Sequence, residues 1–258
     1  MMPKLTDTVK PTGIKLLQYG DSGAGKSFRA ARFAQFGPIY FFDFDNKIQN
    51  IKLGLAAKHP ELLPNIDYDT YRGSDESVVK GVLSKITEIE KACMAGTPPY
   101  ATIVFDSWTQ WERTYFDHLM AKQPNLGGKG WGESRQTVTV TATDRVTIPG
   151  TSDHQLKNRA FPELIDRITA LPINVIVNCH VKEVMGEPST IEASGATART
   201  LPKYFNEWHY LYSANGFYKI RAKSNDKYLA NSARTDLPPS GLIEKDDLLA
   251  WKDQLVTL

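Results

Sequence analysis

An α/β domain with a mostly parallel sheet between two helical layers is the architecture implied by this 258-residue chain. Three observations lead there. Apolar runs too continuous for a half-exposed strand recur as "IKLLQY", "IYFFDF", "ATIVFD" and "INVIVNC". Segments with helical spacing separate them, the usual way of joining parallel strands. A glycine-rich turn joins the first apolar run to the first helical segment.

The elements follow in order. "IKLLQY" (14–19) is the first strand, and "KSFRAARFAQF" (26–36) is a helix that stops at Gly37-Pro38. Its "FRAA" resembles a recombinase self-association tetrapeptide but sits where a helix packs. "IYFFDF" (39–44) is the second strand. After "IDYDTYR" (66–72), Ser74 is placed to cap a helix whose apolar stripe is Val78, Val82, Ile86, Ile89 and Cys93. "ATIVFD" (101–106) is another buried strand, and the helix after it carries Trp108, Trp111, Tyr115 and Leu119 on one face. Between 124 and 153 the pattern breaks into "NLGGKGWGES" and then "RQTVTVTATDRVTIPG", a period-two ribbon closed by Pro149-Gly150 and inserted into the domain. So long an interruption of a compact domain is usually functional. A helix near 155–170 and the strand 173–179 restore the alternation. Residues 186–200 read as a second polar loop. "WHYLYS", "GFYKIRAKS" and "KYLANSA" read as short antiparallel strands, and "EKDDLLAWKDQLV" as a final helix. No boundary divides residues 1–258 into separate domains.

Composition narrows the functional classes. Thirty-one basic and 29 acidic residues leave a net charge of +2, so any polyanionic partner must be held by a local patch. No apolar stretch approaches the ~20 residues of a membrane span, and the N-terminus lacks a secretory core. Cys93 and Cys179 have no metal-like spacing and read as core residues of a reduced, cytoplasmic protein.

The chemistry concentrates at predicted strand tips. Gly20, Gly25, Lys26 and Ser27 form G-x-x-x-x-G-K-S between a strand and a helix, the context a phosphate-binding loop requires. Residues Gly20, Asp21, Ser22, Gly23, Ala24, Gly25, Lys26, Ser27 and Phe28 would surround a nucleoside triphosphate. Lys26 would meet the β- and γ-phosphates, and Ser27 would bind Mg²⁺. Asp106, ending "TIVFD", is placed to hold the same ion through water. "FFDFDN" supplies Asp43 and Asp45 on one side of the second strand, with Asp45 further toward the loop end where ligands bind. An acid there can deprotonate a water attacking the γ-phosphate, whereas Asp43 alternatively serves as a buried structural acid. Asn178 and His180 sit where the strand of "NVIVNCH" opens into a loop.

With "YGDSGAGKS", "FFDFDN", "TIVFDSWTQ", "LPINVIVNCH" and "RAKSNDKYLANSARTDLP" in expected order over residues 13–240, the sequence resembles the RecA-like P-loop ATPase core with a C-terminal antiparallel extension. Within it, the chain looks like the compact phage nucleotide-binding proteins of single-strand-annealing recombinase type. The resemblance implies ATP hydrolysis with Mg²⁺, Asp45 as base and His180 as γ-phosphate sensor. It also implies single-stranded DNA bound by loops near 124–153 and 184–200, and self-association into a ring or filament. Phage or host replication and recombination proteins are further expected partners, in the cytoplasm of the bacterial host. Asp stands at 45 where larger recombinases carry Glu. DNA-contact candidates are Lys129, Trp131, Arg135 and Arg145, with Trp131 able to stack on a base. Lys223 and Arg234 are candidates to reach a neighbouring subunit's nucleotide. Two rivals share the nucleotide site: a helicase loader or remodelling ATPase acting on a protein, and an assembly protein that binds ATP without hydrolysing it.

Overall fold

The computed structural model describes residues 12–73, 76–122, 136–139, 145–148, 151–185, 187–193, 195–214, 217–232, 237–243, 248 and 255–257. Strand β1 (Lys15–Gly20) leads through the glycine turn into α1 (Lys26–Ala31), then β2 (Ile39–Asp43), α2 (Ile48–Lys58) and β3 (Ile66–Thr70). Helix α3 (Glu76–Met94), β4 (Thr102–Asp106) and α4 (Trp108–Lys122) follow. Strands β5 (Gln136–Thr139) and β6 (Arg145–Ile148) form a separate two-stranded antiparallel ribbon. Then come α5 (Thr151–Thr169), β7 (Asn174–Val184), β8 (Glu187–Ile191), α6 (Gly195–Thr200), β9 (Glu207–Ala214), β10 (Phe217–Arg221), β11 (Asn231–Ser232) and β12 (Leu242–Ile243).

The main sheet runs β12-β10-β9-β1-β7-β4-β2-β3. Every pairing from β9 to β3 is parallel, while β10, β11 and β12 add antiparallel pairs at the C-terminal side. Alternation along each strand divides the apolar side chains between two cores. Leu17, Phe42, Phe105 and Val177 face one layer, where Val82, Trp108, Trp111 and Phe161 of α3, α4 and α5 cover them. Leu16, Phe41, Val104 and Ile176 face the other, against Ala30 and Phe33 of the first helical segment and Ile51 and Leu55 of α2. Each of these large side chains gains roughly 1.5–3 kcal/mol from leaving water, which is why the strands can be apolar on both sides. Phe42 and Phe105 stack at 4.5 Å between centroids across the β2–β4 pair.

Several expectations need adjustment. The first helix tightens after Ala31 into a 3-10 turn, Arg32–Phe36, and stops at Gly37 as its φ of 135° permits. Strand β2 ends at Asp43, so Asp45 lies just beyond it. Val79, not Val78, is the buried member of the α3 stripe. Residues 187–191 pair as β8 with the far half of β7, and Gly195–Thr200 is helical, so the segment read as a polar loop is largely ordered. Strand β9 is not purely antiparallel, because its other edge runs parallel to β1. The ribbon pairs Gln136 with Ile148 and Thr139 with Arg145, so both of its strands end before Pro149-Gly150. Ser74, Pro149, Gly150 and most of the expected final helix lie outside the described residues. Cys93 and Cys179 are buried and free. No helix among the described residues is long and apolar enough to cross a membrane.

Candidate functional site

The parallel strands deliver their carboxyl ends to one edge, where the phosphate loop lies. Strand β1 ends at Gly20, where a Cβ would stand 1.9 Å from the Leu211 carbonyl oxygen of β9, so any side chain would force the two strands apart. The loop turns through an Ala24 N–H to Asp21 carbonyl bond of 3.2 Å. Gly25 has φ +84°, a left-handed conformation that brings the chain into α1. Lys26 curls back, its ammonium donating to the carbonyls of Gly20 (2.7 Å) and Asp21 (2.8 Å). Burial pushes it below the ordinary lysine range, with Asp106 acting in the opposite direction. The loop walls a cavity of about 320 Å³ lined by Ser22 to Phe28, Asp45, Lys47, Asn50, Ile51, Asp106 and Tyr218. Gly20 and Asp21 stand behind that wall, bound to Lys26.

The two acids of "FFDFDN" have different roles. Asp43 is buried and accepts hydrogen bonds from the backbone N–H of Lys47 (3.0 Å) and Ile48 (3.2 Å) and from the Thr70 hydroxyl (3.3 Å). It ties the β2 turn to the start of α2, the structural alternative. Asp45 instead lines the cavity. The turn that aims it is fixed by the N–H groups of Phe44 and Asp45, both donating to the Asp106 carbonyl at 2.7 and 3.2 Å. Its carboxylate accepts from Ser107 Oγ (3.0 Å) and Lys47 Nζ (3.1 Å) and meets His180 Nε2 at 2.9 Å. Burial alone would raise its pKa; the hydrogen bonds and charges of His180 and Lys47 win and hold the carboxyl well below the usual range.

Asp106 is 2% exposed at the tip of β4. Burial raises its carboxyl above the usual range, while hydrogen bonds from Ser27 and Asn178 pull the other way. Oδ1 accepts from Asn178 Nδ2 at 3.0 Å; Oδ2 is buried with no hydrogen-bond partner. A buried carboxylate oxygen without a partner, beside the Ser27 hydroxyl and a phosphate loop, fits a Mg²⁺ site completed by phosphate oxygens and water. Among the described residues no group of three or more His, Cys, Asp or Glu forms a ready-made cage, and such a site needs none.

Asn178 and His180 both lie inside β7, which runs on to Val184, rather than at a strand-to-loop junction. His180 Nε2 reaches Asp45, and its Nδ1 lies 3.6 Å from a Glu192 carboxylate oxygen. Glu192 lines a second cavity of about 510 Å³ with Thr109, Arg113, Phe116, His154, Val181 and Lys182. Lys157, on α5, is buried against Glu112 at 3.4 Å and is no exposed contact. Lys129, Trp131, Arg135 and Arg234 lie outside the described residues, and of Arg145 only its place in β6 is described. Lys223 is exposed and donates to the Pro238 carbonyl at 3.3 Å.

Sequence reasoning missed Lys47, Ser107, Gln18 and Tyr218. Lys47 had a local signal, a cation two residues beyond a candidate base. Tyr218 had none, since only β10 brings its ring to 3.4 Å from where a Gly25 Cβ would stand.

A parallel sheet with helices on both faces, a phosphate loop after its first strand and a buried acid beside the loop's serine define a P-loop ATPase fold. Residues 12–213 match the family model AAA_24, an AAA domain, and the chain belongs to that family. Among solved structures it is similar to a prototypical ATPase from the type III secretion system of pathogenic bacteria, with 14% identity and a TM-score of 0.49. The match covers 78% of this chain and 52% of that protein, so the chain spans about half its length. No relative among the curated proteins matches.

Proposed function

We propose that the chain is a Mg²⁺-dependent ATPase of RecA-like type that binds single-stranded DNA and promotes strand annealing in phage recombination, assembling with copies of itself in the bacterial cytoplasm. The observation that carries the hydrolytic part is Asp45: an ionised acid on the wall of the phosphate-loop cavity, held by Ser107, Lys47 and His180. In this reading Lys26 turns its ammonium from the loop carbonyls to the β- and γ-phosphates. Ser27 and Asp106 would hold the metal ion, which would neutralise phosphate charge when bound. Asp45 orients the attacking water and accepts its proton. Tyr218, 61% exposed at the cavity rim, offers its ring to the sugar and base.

Support for a worked-on polyanion comes from the far side of His180. The imidazole spans Asp45 and Glu192, and Glu192 borders the larger cavity carrying Arg113, Lys182 and Phe116. A γ-phosphate that draws the imidazole away from these two acids would alter Glu192 and the wall of that cavity, the kind of local contact change that biases a binding segment.

ATP turnover with and without single-stranded DNA tests this reading, together with DNA affinity against salt. Stimulated turnover and a log–log salt slope of about −0.7 per phosphate contacted are expected. Turnover indifferent to DNA, with capture of a replicative helicase, would favour the loader reading. Stable assembly with ATP and no phosphate release would favour a non-hydrolysing assembly protein.

A further inference from the structure

Beneath the nucleotide cavity a chain of buried side chains crosses three strands. Arg29 Nη1 of α1 donates to Gln18 Oε1 at 2.6 Å, Gln18 Nε2 donates to Asn178 Oδ1 at 2.9 Å, and Asn178 Nδ2 donates to Asp106 Oδ1 at 3.0 Å. Gln18 and Asn178 are fully buried, and Arg29 is 4% exposed. The last three groups occupy one row of the sheet, because Gln18 pairs with Asn178 across β1 and β7, and Asn178 with Asp106 across β7 and β4.

We infer that Gln18 and Asn178 are positioning residues that set the orientation of the Asp106 carboxylate for its metal ion, with a polarity imposed by Arg29. This rests on the Mg²⁺–nucleotide reading of the site. A guanidinium only donates, so the end of Gln18 facing Arg29 must be its oxygen. Its amide nitrogen then faces Asn178, which must answer with oxygen and turn its own nitrogen to Asp106. Oδ1 is thereby satisfied, and Oδ2 is left as the carboxylate's available oxygen, which is the arrangement observed. Apolar residues at 18 and 178 would fill the same space without fixing that carboxylate. Groups that orient a metal's ligands are worth about 10- to 100-fold in metal affinity.

The decisive variant is Gln18→Glu. Nearly isosteric, it keeps an oxygen for Arg29 but presents a second oxygen to Asn178. The Asn178 amide must flip to donate to it, and its oxygen then faces Asp106, removing the donor and adding repulsion.

The test titrates Mn²⁺ into the full chain with ADP, read by electron paramagnetic resonance, beside ADP binding in EDTA and thermal melting. The wild type should bind Mn²⁺ with nucleotide. Gln18→Glu should bind Mn²⁺ about 10- to 100-fold more weakly, with metal-free ADP binding and melting temperature kept. Equal Mn²⁺ affinity in both proteins overturns the relay while leaving the nucleotide site standing. A wild type that binds ADP and Mn²⁺ independently overturns the reading beneath it, and the relay with it. Should Gln18→Glu fail to fold, Asn178→Leu removes the same donor without adding charge and is judged by the same two affinities.

Discussion

A buried lysine opens strand β1 and another opens α1, six residues beyond the strand's last residue, and the two are solvated in opposite ways. Lys15, at the amino end of the sheet, gives its three donors to the carbonyls of Thr12 (3.1 Å), Leu171 (2.7 Å) and Ile173 (2.5 Å). Lys26, at the carboxyl end, has two carbonyl acceptors for the same three donors. Burial depresses both ammonium groups, so a shifted pKa does not tell them apart. Completeness does. Lys15 has every donor used, whereas the carboxyl end leaves a donor on Lys26 and an oxygen on Asp106 at a cavity. Polar capacity left over beside a phosphate loop, on the wall of its cavity, is what marks the carboxyl end as a site.

Exchanging each lysine for methionine separates the two ends most sharply. Lys26→Met should lower ATP affinity by about 2–5 kcal/mol, the cost of removing one partner of a buried charge contact, measured by calorimetric titration. Lys15→Met should leave that affinity unchanged and alter the pH dependence of stability instead. Lys15 is depressed from 10.5 to about 8. Between those values the unfolded chain holds the proton and the folded chain does not, so the wild type gains stability as pH rises through the window. Denaturation at pH 8 and 10.5 should show the wild type gaining about 3 kcal/mol over Lys15→Met, each pK unit being ~1.4 kcal/mol. A parallel pH response in both proteins would contradict the assignment of Lys15. The smallest effect belongs to the cavity rim. Tyr218→Ala should weaken ADP by about 0.5–1.5 kcal/mol, as expected for one aromatic contact, and leave inorganic tripolyphosphate unaffected. Equal weakening of both ligands would place Tyr218 on the phosphates instead.

What was legible in the sequence was what chemistry places in one short stretch. "GDSGAGKS" forms its loop from neighbouring residues, and "IYFFDF" and "ATIVFD" declare buried strands because both of their faces are apolar. Asp45 and Asp106 were readable as acids at strand tips. Which of Asp43 and Asp45 faced the cavity was less so, because β2 stops between them and the turn toward Asp106 sets their directions. Gln18 and Asn178 look like polar interruptions of apolar strands until the register of β1, β7 and β4 aligns them. Residues 187–191 carry too few apolar side chains to read as a strand, yet β7 extends far enough to pair with them. The exchange of Val78 for Val79 is a one-residue error in helical phase. The sequence showed local motifs; partners supplied by distant strands needed the fold.

The most direct measurement is phosphate release from Mg²⁺-ATP by the wild type and Asp45→Asn, with ATP binding followed in parallel. Turnover should fall about 10²- to 10⁴-fold, the usual contribution of a general base, while ATP remains bound. Undiminished phosphate release from Asp45→Asn would contradict the account, because the acid on the cavity wall would then play no part in the chemistry.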